Sequence, residues 1–482
     1  MMETQEVGYA LSIRGSLVYV DGLPGAKIMD LVENEQGIRG VVSNLQEDRV
    51  EVWILDEGTI VPGQLFKKSE KRLKVPVSPS LLGRAINALG VPIDNKGQIS
   101  KTRVEELDFE RPAKPLKDRA FINTQLITGL TLVDTIIPIG KGQRQLIMGD
   151  PHSGKTSFLI DLISSSSAEG IISIFASVGK PVSEVRKLID ILTAVKALSK
   201  TVFIAATATD PPPLIILTPT SAFSIAEYFQ EQGRDILIIL DDLGAHAKVY
   251  RELALLGNRI PGRESYPADM FYIHAHLLER AGKFDQRIGG GSITALPVIE
   301  LPQSDFTTYI PTNLMSMTDG HLLFKSSIRA LGQHPSIDIS LSVSRLGRQT
   351  QNRLQNALSL KIRQVLSEAI SLDTVSRFLG ELPTETQSIL NKRDLIMEVF
   401  KQERLSQLSP QTQTVLLSLI FTSYFNDKDV SFLAKHKNSI VVFFLKYPKL
   451  SSFVEQVFQI KDLDKLIAEL ETLVPKLREA IA

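Results

Sequence analysis

The eight residues 149–156 constrain the fold of this chain more than any other segment. They read GDPHSGKT, which fits the pattern G-x-x-x-x-G-K-[ST], and they follow the apolar residues 146–148. A loop of this pattern connects a buried strand to the start of a helix, because its glycines let the backbone curl around an anion at the helix N-terminus. The chain is therefore predicted to contain an α/β domain with this loop at the carboxyl end of a strand.

The same loop predicts a site for a nucleoside polyphosphate. Its backbone N–H groups are expected to surround phosphate oxygens, Lys155 to reach the β- and γ-phosphates, and Thr156 to ligate Mg²⁺. The predicted nucleotide-binding residues of this segment are Gly149, Asp150, Pro151, His152, Ser153, Gly154, Lys155, Thr156 and Ser157.

A carboxylate after a second apolar run agrees with a magnesium site. Residues 236–240 are apolar and are followed by Asp241 and Asp242, and α/β sheets bind ligands at the carboxyl ends of their strands. Asp241 comes first off the strand, so we expect it to be the carboxylate that supports Mg²⁺, either as a direct ligand or through a bound water.

The residue after a third apolar run argues against hydrolysis. A hydrolase needs a carboxylate or an amide that orients the attacking water, but the run 171–175 leads into residues 176–180 and presents Lys180. A protonated amine does not act as a base. Glu184 is predicted to lie in a first helical turn, where its charge is favourable without any catalytic role. We therefore expect binding without efficient turnover.

The pattern of apolar residues changes twice along the chain. Short β-branched runs separated by Gly and Pro predict a small antiparallel β-barrel or sandwich over residues 1–75. Fully apolar strands that alternate with helical stretches predict an α/β nucleotide-binding domain over residues 76–351. Helical spacing of apolar residues predicts a helical bundle over residues 352–482.

Composition excludes several classes of protein. The 482 residues include 54 Lys and Arg and 54 Asp and Glu, so the formal charge is zero and nucleic acid is not an expected partner. The chain has no Cys, which excludes disulfides, Cys-ligated zinc and thiol catalysis. No apolar stretch approaches the ~20 residues that cross a bilayer, so we expect membrane contact only through partner subunits.

Eight blocks of the sequence resemble the alpha subunit of F-type ATP synthases, and they extend along nearly the whole chain. They are LLGRAINALGVPID, PIGKGQRQLIMGD, ATATDPPPL, LIILDDL, PGRESYPADMFYIHAHLLERA, GGGSITALPVIE, YIPTN and LSVSRLG. The resemblance implies a β-barrel crown, a RecA-like P-loop domain and a C-terminal helical domain. It also implies binding of ATP or ADP with Mg²⁺, and alternation with a catalytic beta-type subunit in a hexameric ring around a gamma-type central stalk. Such a ring lies at the cytoplasmic face of an energy-transducing membrane.

The resemblance assigns roles to particular residues. Lys155, Thr156 and Asp241 occupy the family's phosphate and magnesium positions. Lys180 is included among the nucleotide-binding residues, and it stands where alpha subunits carry Gln and catalytic beta subunits carry Glu. Arg345, in LSVSRLG, matches the arginine that the family inserts into the neighbouring beta subunit's site, where a guanidinium stabilises charge on the transferred phosphoryl group.

The resemblance is incomplete around the site. Pro151 and His152 replace the Arg and Gln that are usual in the loop, and His334 replaces an Arg. Of the pair of glutamines associated with the adenine pocket, only Gln402 is kept. The family's helical N-terminal segment has no counterpart before Val7, so a peripheral-stalk subunit is a candidate partner only through an unconventional attachment.

Two other interpretations remain open from the sequence. A self-sufficient hexameric NTPase, such as a secretion ATPase or an RNA translocase, would hydrolyse nucleotide as the purified chain alone; the neutral charge and Lys180 argue against it. A purely structural subunit with a decayed pocket would bind no ATP, and His152 and His334 are the residues that favour it.

Overall fold

In the computed structural model of the chain, residues 6–100, 102–301, 305–376 and 384–481 are described, with only the backbone given at 373–376 and 384–385. The chain forms two compact units. The first comprises Met1–Phe121, Gly142–Met148 and Ser166–Asp319, and the second comprises Ile122–Lys141, Gly149–Ser165 and Gly320–Ala482. The loop 149–157 thus belongs to the second unit, whereas Lys180 and Asp241 belong to the first.

Six strands near the N-terminus close into a small barrel. They are β1 (Val7–Arg14), β2 (Leu17–Asp21), β3 (Asp30–Asn34), β4 (Arg39–Leu45), β5 (Val50–Ile54) and β6 (Leu65–Arg72). Their order around the barrel is β1-β2-β5-β4-β3-β6, and closure leaves no free edge strand. The buried interior is mainly aliphatic and includes Val18, Val20, Val32, Val42, Val52 and Phe66. The predicted barrel is confirmed.

Thirteen further strands follow in the described part of the chain. They are β7 (Lys74–Val77), β8 (Ala85–Ile86), β9 (Glu105–Asp108), β10 (Gln125–Leu126), β11 (Ile139–Gly140), β12 (Leu146–Gly149), β13 (Ile172–Lys180), β14 (Thr201–Thr207), β15 (Asp235–Asp241), β16 (Gly282–Lys283), β17 (Ser292–Glu300), β18 (Gly320–Phe324) and β19 (Val343–Ser344). In the first unit the strand order is β12-β17-β15-β13-β14-β8. From β17 to β8 every neighbouring pair is parallel, which confirms the predicted α/β architecture.

Eight helices accompany these strands, and six more follow residue 352. The first eight are α1 (Thr131–Ile136), α2 (Lys155–Ala168), α3 (Val182–Ala194), α4 (Pro212–Glu231), α5 (Leu243–Leu256), α6 (Met270–Glu279), α7 (Tyr309–Met317) and α8 (Ser326–Ala330). The last six are α9 (Arg353–Ser376), α10 (Thr384–Phe400), α11 (Pro410–Leu419), α12 (Val430–Lys446), α13 (Pro448–Gln456) and α14 (Leu463–Ala480). These six confirm the predicted C-terminal helical region. Of the helices described, none combines the length and the hydropathy required to span a membrane.

Candidate functional site

Two glycines shape the loop between β12 and α2. Gly149 has φ +156°, and a Cβ atom at this position would lie 2.2 Å from the carbonyl oxygen of Phe324. Gly154 has φ +103°, and its Cβ would lie 3.0 Å from Ser336 Oγ. Side chains other than hydrogen rarely adopt these conformations, so the loop's path requires glycine at both positions.

Residues far away in the sequence brace the loop from within the second unit. Asp150 Oδ2 accepts hydrogen bonds from Ser326 N at 3.2 Å and from Ser326 Oγ at 3.0 Å. Arg329 Nη1 donates to the carbonyl oxygen of His152 at 2.5 Å. Sequence analysis missed both residues of α8, because nothing in the local pattern around them points to a loop about 176 positions earlier.

Lys155 turns its ammonium group toward the loop. Its Nζ donates to the carbonyl oxygens of Gly149, at 2.8 Å, and of Asp150, at 2.6 Å. An ammonium group has three donors, and these two bonds keep the charged Nζ of Lys155 next to the loop in which the motif predicts phosphate binding. The ammonium group of Lys155 therefore lies against the loop, and its contact with phosphate stays a prediction.

The other loop residues divide into exposed and buried side chains. Pro151, His152 and Thr156 are exposed, and Ser157 is half-buried. Ser153 is buried, and its Oγ donates to the carbonyl oxygen of Asp150 at 2.7 Å. The two residues that depart from the family, Pro151 and His152, are thus exposed, and His152 has φ +56°.

A cavity of about 510 Å³ lies in the second unit between the end of α10, the segment that follows it and α12, and its volume is in the range of small-molecule sites. Its lining includes His334, Glu398, Lys401, Gln402, Arg404 and Lys437. Gln402 is buried, and its Oε1 accepts from Thr131 N at 2.6 Å. Its Nε2 donates to the carbonyl oxygens of Gly129 and Ser406, at 3.0 and 2.8 Å. The amide predicted to contact the base is therefore bonded to backbone, and it fixes one wall of this cavity.

A buried carboxylate in α2 holds another wall of the cavity. Asp161 is fully buried, its Oδ2 lies 3.0 Å from His334 Nε2, and its Oδ1 accepts from Leu405 N at 3.2 Å. Sequence analysis noted His334 and missed Asp161. The available signal was an aspartate in the middle of the apolar run 158–163, because a buried carboxylate needs a partner.

In the first unit, Lys180 and Asp241 form an ion pair at the carboxyl ends of neighbouring parallel strands. Lys180 ends β13, Asp241 ends β15, and Ser177 is paired in register with Asp241. The pairing of β13 with β14 shifts between Val178 and Lys180, and such a bulge re-aims the following side chain. Lys180 Nζ lies 2.7 Å from Asp241 Oδ2.

Three carboxylates surround the Lys180 ammonium group electrostatically. Burial alone would lower the pKa of Lys180, but the charge and hydrogen bond of Asp241, together with the charges of Asp242 and Glu184, outweigh burial and raise it above 10.5. Burial raises the pKa of Asp242, whose Oδ1 accepts a hydrogen bond from the backbone of Ala245 at the start of α5. Glu184 is exposed in the first turn of α3, as predicted. Lys180 is therefore a fixed cation.

These groups fit Mg²⁺ unequally. Mg²⁺ takes hard oxygen ligands, and the hydroxyl of Thr156, an exposed residue at the start of α2, supplies one such oxygen. Asp241 is less suited, because an ammonium group already lies against its Oδ2 and would repel a dication there. Direct contact between Asp241 Oδ2 and Mg²⁺ would therefore require Lys180 to move, and support of Mg²⁺ by Asp241 through a bound water stays a prediction.

Arg345 is exposed directly after β19. The preceding Ser344 donates through Oγ to the carbonyl oxygen of Pro138 at 2.6 Å, and the same Oγ accepts from Gly347 N at 3.1 Å. Arg345 makes no ion pair within the residues that the structure describes. A guanidinium group on a braced bend is suited to reach an anion outside its own unit.

Two buried histidines hold α5 in the first unit. His246 Nδ1 lies 3.2 Å from His274 Nε2, and His246 Nε2 lies 3.3 Å from the carbonyl oxygen of Ile216. The carbonyl only accepts, so Nε2 of His246 carries the proton and Nδ1 accepts from His274. Burial lowers the pKa of His246 to about 4 and that of His274 well below 6.5. His274 thus serves the helix packing.

Comparisons with known proteins identify the family of the chain. The nucleotide-binding domain of the ATP synthase alpha/beta family matches residues 129–344. The chain is 36% identical over 466 residues to the ATP synthase subunit alpha of Caldanaerobacter subterraneus subsp. tengcongensis. The aligned residues make up 96% of this chain and 91% of that protein. It is 38% identical over 438 residues to the ATP synthase subunit alpha of Mycoplasma pneumoniae, an alignment that spans 90% of this chain and 84% of that protein. It is also 38% identical over 440 residues to the ATP synthase subunit alpha of Clostridium acetobutylicum, with 91% of this chain and 87% of that protein aligned. The similarity therefore extends well beyond the nucleotide-binding domain.

Proposed function

The chain belongs to the family of ATP synthase alpha subunits, and on this premise we propose that it is a noncatalytic, nucleotide-binding subunit of a rotary proton- or sodium-translocating ATP synthase or ATPase. Family membership implies binding of ATP or ADP. The proposal includes the three domains predicted from the sequence, with boundaries after residues 75 and 351. It places the chain peripherally, at the cytoplasmic face of an energy-transducing membrane.

The phosphates of the nucleotide are proposed to bind to residues 149–157. The backbone N–H groups of the braced loop and the N-terminus of α2 supply positive potential. Lys155 exchanges its bonds to the loop carbonyls for bonds to phosphate oxygens, which are stronger because both partners are charged. Thr156 is the proposed ligand of the Mg²⁺ that accompanies ATP, and the base is proposed to bind in the cavity beside Gln402.

The observation that carries the noncatalytic assignment is the ion pair of Lys180. The position that orients the attacking water in a hydrolase holds an ammonium group paired with Asp241 at 2.7 Å. This group neither accepts a proton from water nor is free to move to it. The purified full-length chain is therefore expected to bind ATP and to release no phosphate. Steady phosphate release would instead identify a self-sufficient NTPase.

A catalytic beta-type subunit is the proposed neighbour in a hexameric ring around a gamma-type stalk. Arg345 is proposed to enter the beta subunit's site, where its guanidinium stabilises charge on the transferred phosphoryl group. A peripheral-stalk subunit is a further candidate partner. Each of these contacts is tested in the reconstituted complex.

Replacement of Arg345 by Ala tests the contribution in trans. We expect ATP turnover of the reconstituted ring to fall by about 10³-fold, the lower end of measured arginine-finger effects, while the ring still assembles. Arg348→Ala is the matched control, because Arg348 is also exposed and lies three residues further on. Near-normal turnover of the Arg345→Ala ring would exclude the assignment.

A further inference from the structure

The buried amide of the cavity in the second unit is already bonded to the chain itself. Gln402 Nε2 donates to the carbonyl oxygens of Gly129 and Ser406, at 3.0 and 2.8 Å, and Oε1 accepts from Thr131 N at 2.6 Å. An amide has two N–H donors, so Gln402 retains none for a ligand. Recognition of adenine by an amide needs one donor for N7 and one acceptor for the N6 amino group. Gln402 therefore does not form this bidentate pair with adenine.

The other buried polar groups of the lining are committed in the same way. Lys437 Nζ uses its three donors on backbone carbonyl oxygens at the C-terminal end of α10, which are those of Glu398, Val399 and Lys401. His334 Nε2 lies 3.0 Å from the carboxylate of Asp161, which is fully buried. Among the described residues that line the cavity, no side chain has a buried nitrogen or oxygen atom without a hydrogen-bond partner.

This pairing removes the usual means of choosing one base over another. A polar site rejects a wrong ligand strongly when that ligand leaves a buried polar group of the site unpaired. In this cavity the partners of Gln402, Lys437 and Asp161 come from the chain. A bound base of either kind therefore leaves all three groups paired, and no such penalty separates adenine from guanine.

The exposed part of the lining offers both donors and acceptors. Lys401 and Arg404 donate, Glu403 accepts and the amide of Asn438 does both, and all four residues are exposed. Guanine presents the acceptors N7 and O6 where adenine presents N7 and the N6 amino group. Exposed side chains of both kinds can pair with either pattern. The volume of about 510 Å³ does not restrict the cavity to the smaller base.

We propose that this cavity does not discriminate between adenine and guanine, so that the chain binds purine nucleoside di- and triphosphates as a class, GTP and GDP as well as ATP and ADP. The inference rests on the proposed function, in which the phosphates bind to residues 149–157 and the base binds in this cavity. It adds the ligand class to that function, because a noncatalytic subunit is free to be selective for one base.

The test is calorimetric titration of the full-length chain with ATP and with GTP, both with Mg²⁺, and with inorganic tripolyphosphate as the ligand that has no base. We expect the dissociation constants of ATP and GTP to agree within about fivefold, and both nucleotides to bind at least about tenfold more tightly than tripolyphosphate. A larger preference for either nucleotide overturns the inference and leaves the proposed function in place. Absence of binding by both nucleotides overturns the proposed function instead.

A variant that fills the cavity tests whether the base binds there. Ala434 lies in α12 and lines the cavity, so Ala434→Trp is expected to lower the affinities for ATP and GTP to that for tripolyphosphate, which stays unchanged. Ser431→Trp is the matched control, because Ser431 is exposed in the first turn of the same helix and does not line the cavity.

Two outcomes of the Ala434→Trp titrations contradict the inference. A loss of affinity for only one of the two nucleotides would show that the bases bind at different places. Unchanged affinity for both would show that neither base enters the cavity. If Ala434→Trp does not fold, the titrations of the wild-type chain still decide, because a preference beyond fivefold between ATP and GTP contradicts the inference without the variant.

Discussion

The loop 149–157 and the strand ends at Lys180 and Asp241 depart from the family in opposite ways. The loop differs at two exposed side chains, Pro151 and His152, while the glycines and the lysine that shape it are kept. The strand ends differ at a single residue, Lys180, which carries a charge into a mostly buried position. A loop that acts through backbone N–H groups tolerates changes of its exposed side chains, whereas one buried charge changes the chemistry of its surroundings.

The largest expected effect tests whether the loop 149–157 binds the phosphates of the nucleotide. Lys155→Ala removes the ammonium group that lies over the loop, and ATP affinity is expected to fall by about 100-fold, because a charge-assisted bond to phosphate is lost. Calorimetric titration of the full-length chain measures it. Lys248→Ala, on the exposed side of α5, is the control. Equal affinities of the two variants would show that the loop does not hold phosphate.

The next largest effect concerns the contribution of the Lys180–Asp241 ion pair to folding stability. Asp241→Asn leaves the Lys180 ammonium group without its charged partner, and the free energy of unfolding is expected to fall by about 2 kcal/mol. This loss is smaller than that for a fully buried pair, because 21% of the Lys180 side chain is exposed. The control is Asp56→Asn, which breaks the more exposed Arg39–Asp56 pair of the barrel at a cost of at most about 1 kcal/mol. Urea unfolding of both variants decides: equal losses would mean that the strand-end pair is no stronger than a surface pair.

A smaller effect concerns how the stability of the folded chain depends on pH through the buried histidines His246 and His274. The folded state holds His246 and His274 neutral with lowered pKa values, whereas both take up protons in the unfolded chain near pH 6.5. The stability that they contribute is therefore complete above pH 6.5 and is lost as the pH falls toward 4.

With His274→Gln, the loss of unfolding free energy between pH 7 and pH 5.5 is expected to be smaller than in the wild type by about 1 kcal/mol. Denaturant unfolding at the two pH values measures this difference. His276→Gln, two residues along the same helix and not buried, is expected to retain the wild-type pH dependence. An unchanged pH dependence in His274→Gln would show that the buried pair does not exclude protons.

The smallest expected effect tests whether nucleotide binding by the loop depends on the two residues, Pro151 and His152, that differ from those usual in the family. The double variant Pro151→Arg/His152→Gln restores the residues usual in the family, and it is expected to change ATP affinity by less than about threefold, because exposed substitutions shift free energies by about 0.5 kcal/mol. The same titration applies. A gain of tenfold or more would mean that these side chains, and not only the backbone, contact the nucleotide.

Several structural features followed directly from the sequence. The apolar runs near 146–148, 171–175 and 236–240 became β12, β13 and β15. Strand β13 continues five residues past its apolar run, to Lys180, because its parallel pairing with β15 persists to Ser177 and its pairing with β14 persists to Lys180. The residues that hold the loop and the wall of the cavity did not follow from the sequence. Ser326, Arg329 and Asp161 act through contacts across more than 170 positions, and local patterns carry no information about such partners.

The sequence by itself determined the barrel, the parallel sheet, the helical region and the phosphate loop, because each depends on the spacing of apolar residues and glycines along a short segment. The resemblance further implied that Lys180 stands where alpha subunits carry Gln and catalytic beta subunits carry Glu. Only the tertiary structure decided what that lysine does. The register of β13 against β15 brings its ammonium group to Asp241, and the fold likewise commits the Gln402 amide to backbone groups. Which charges and donors meet is settled by strand register and packing over long separations, and composition and periodicity do not specify either of these.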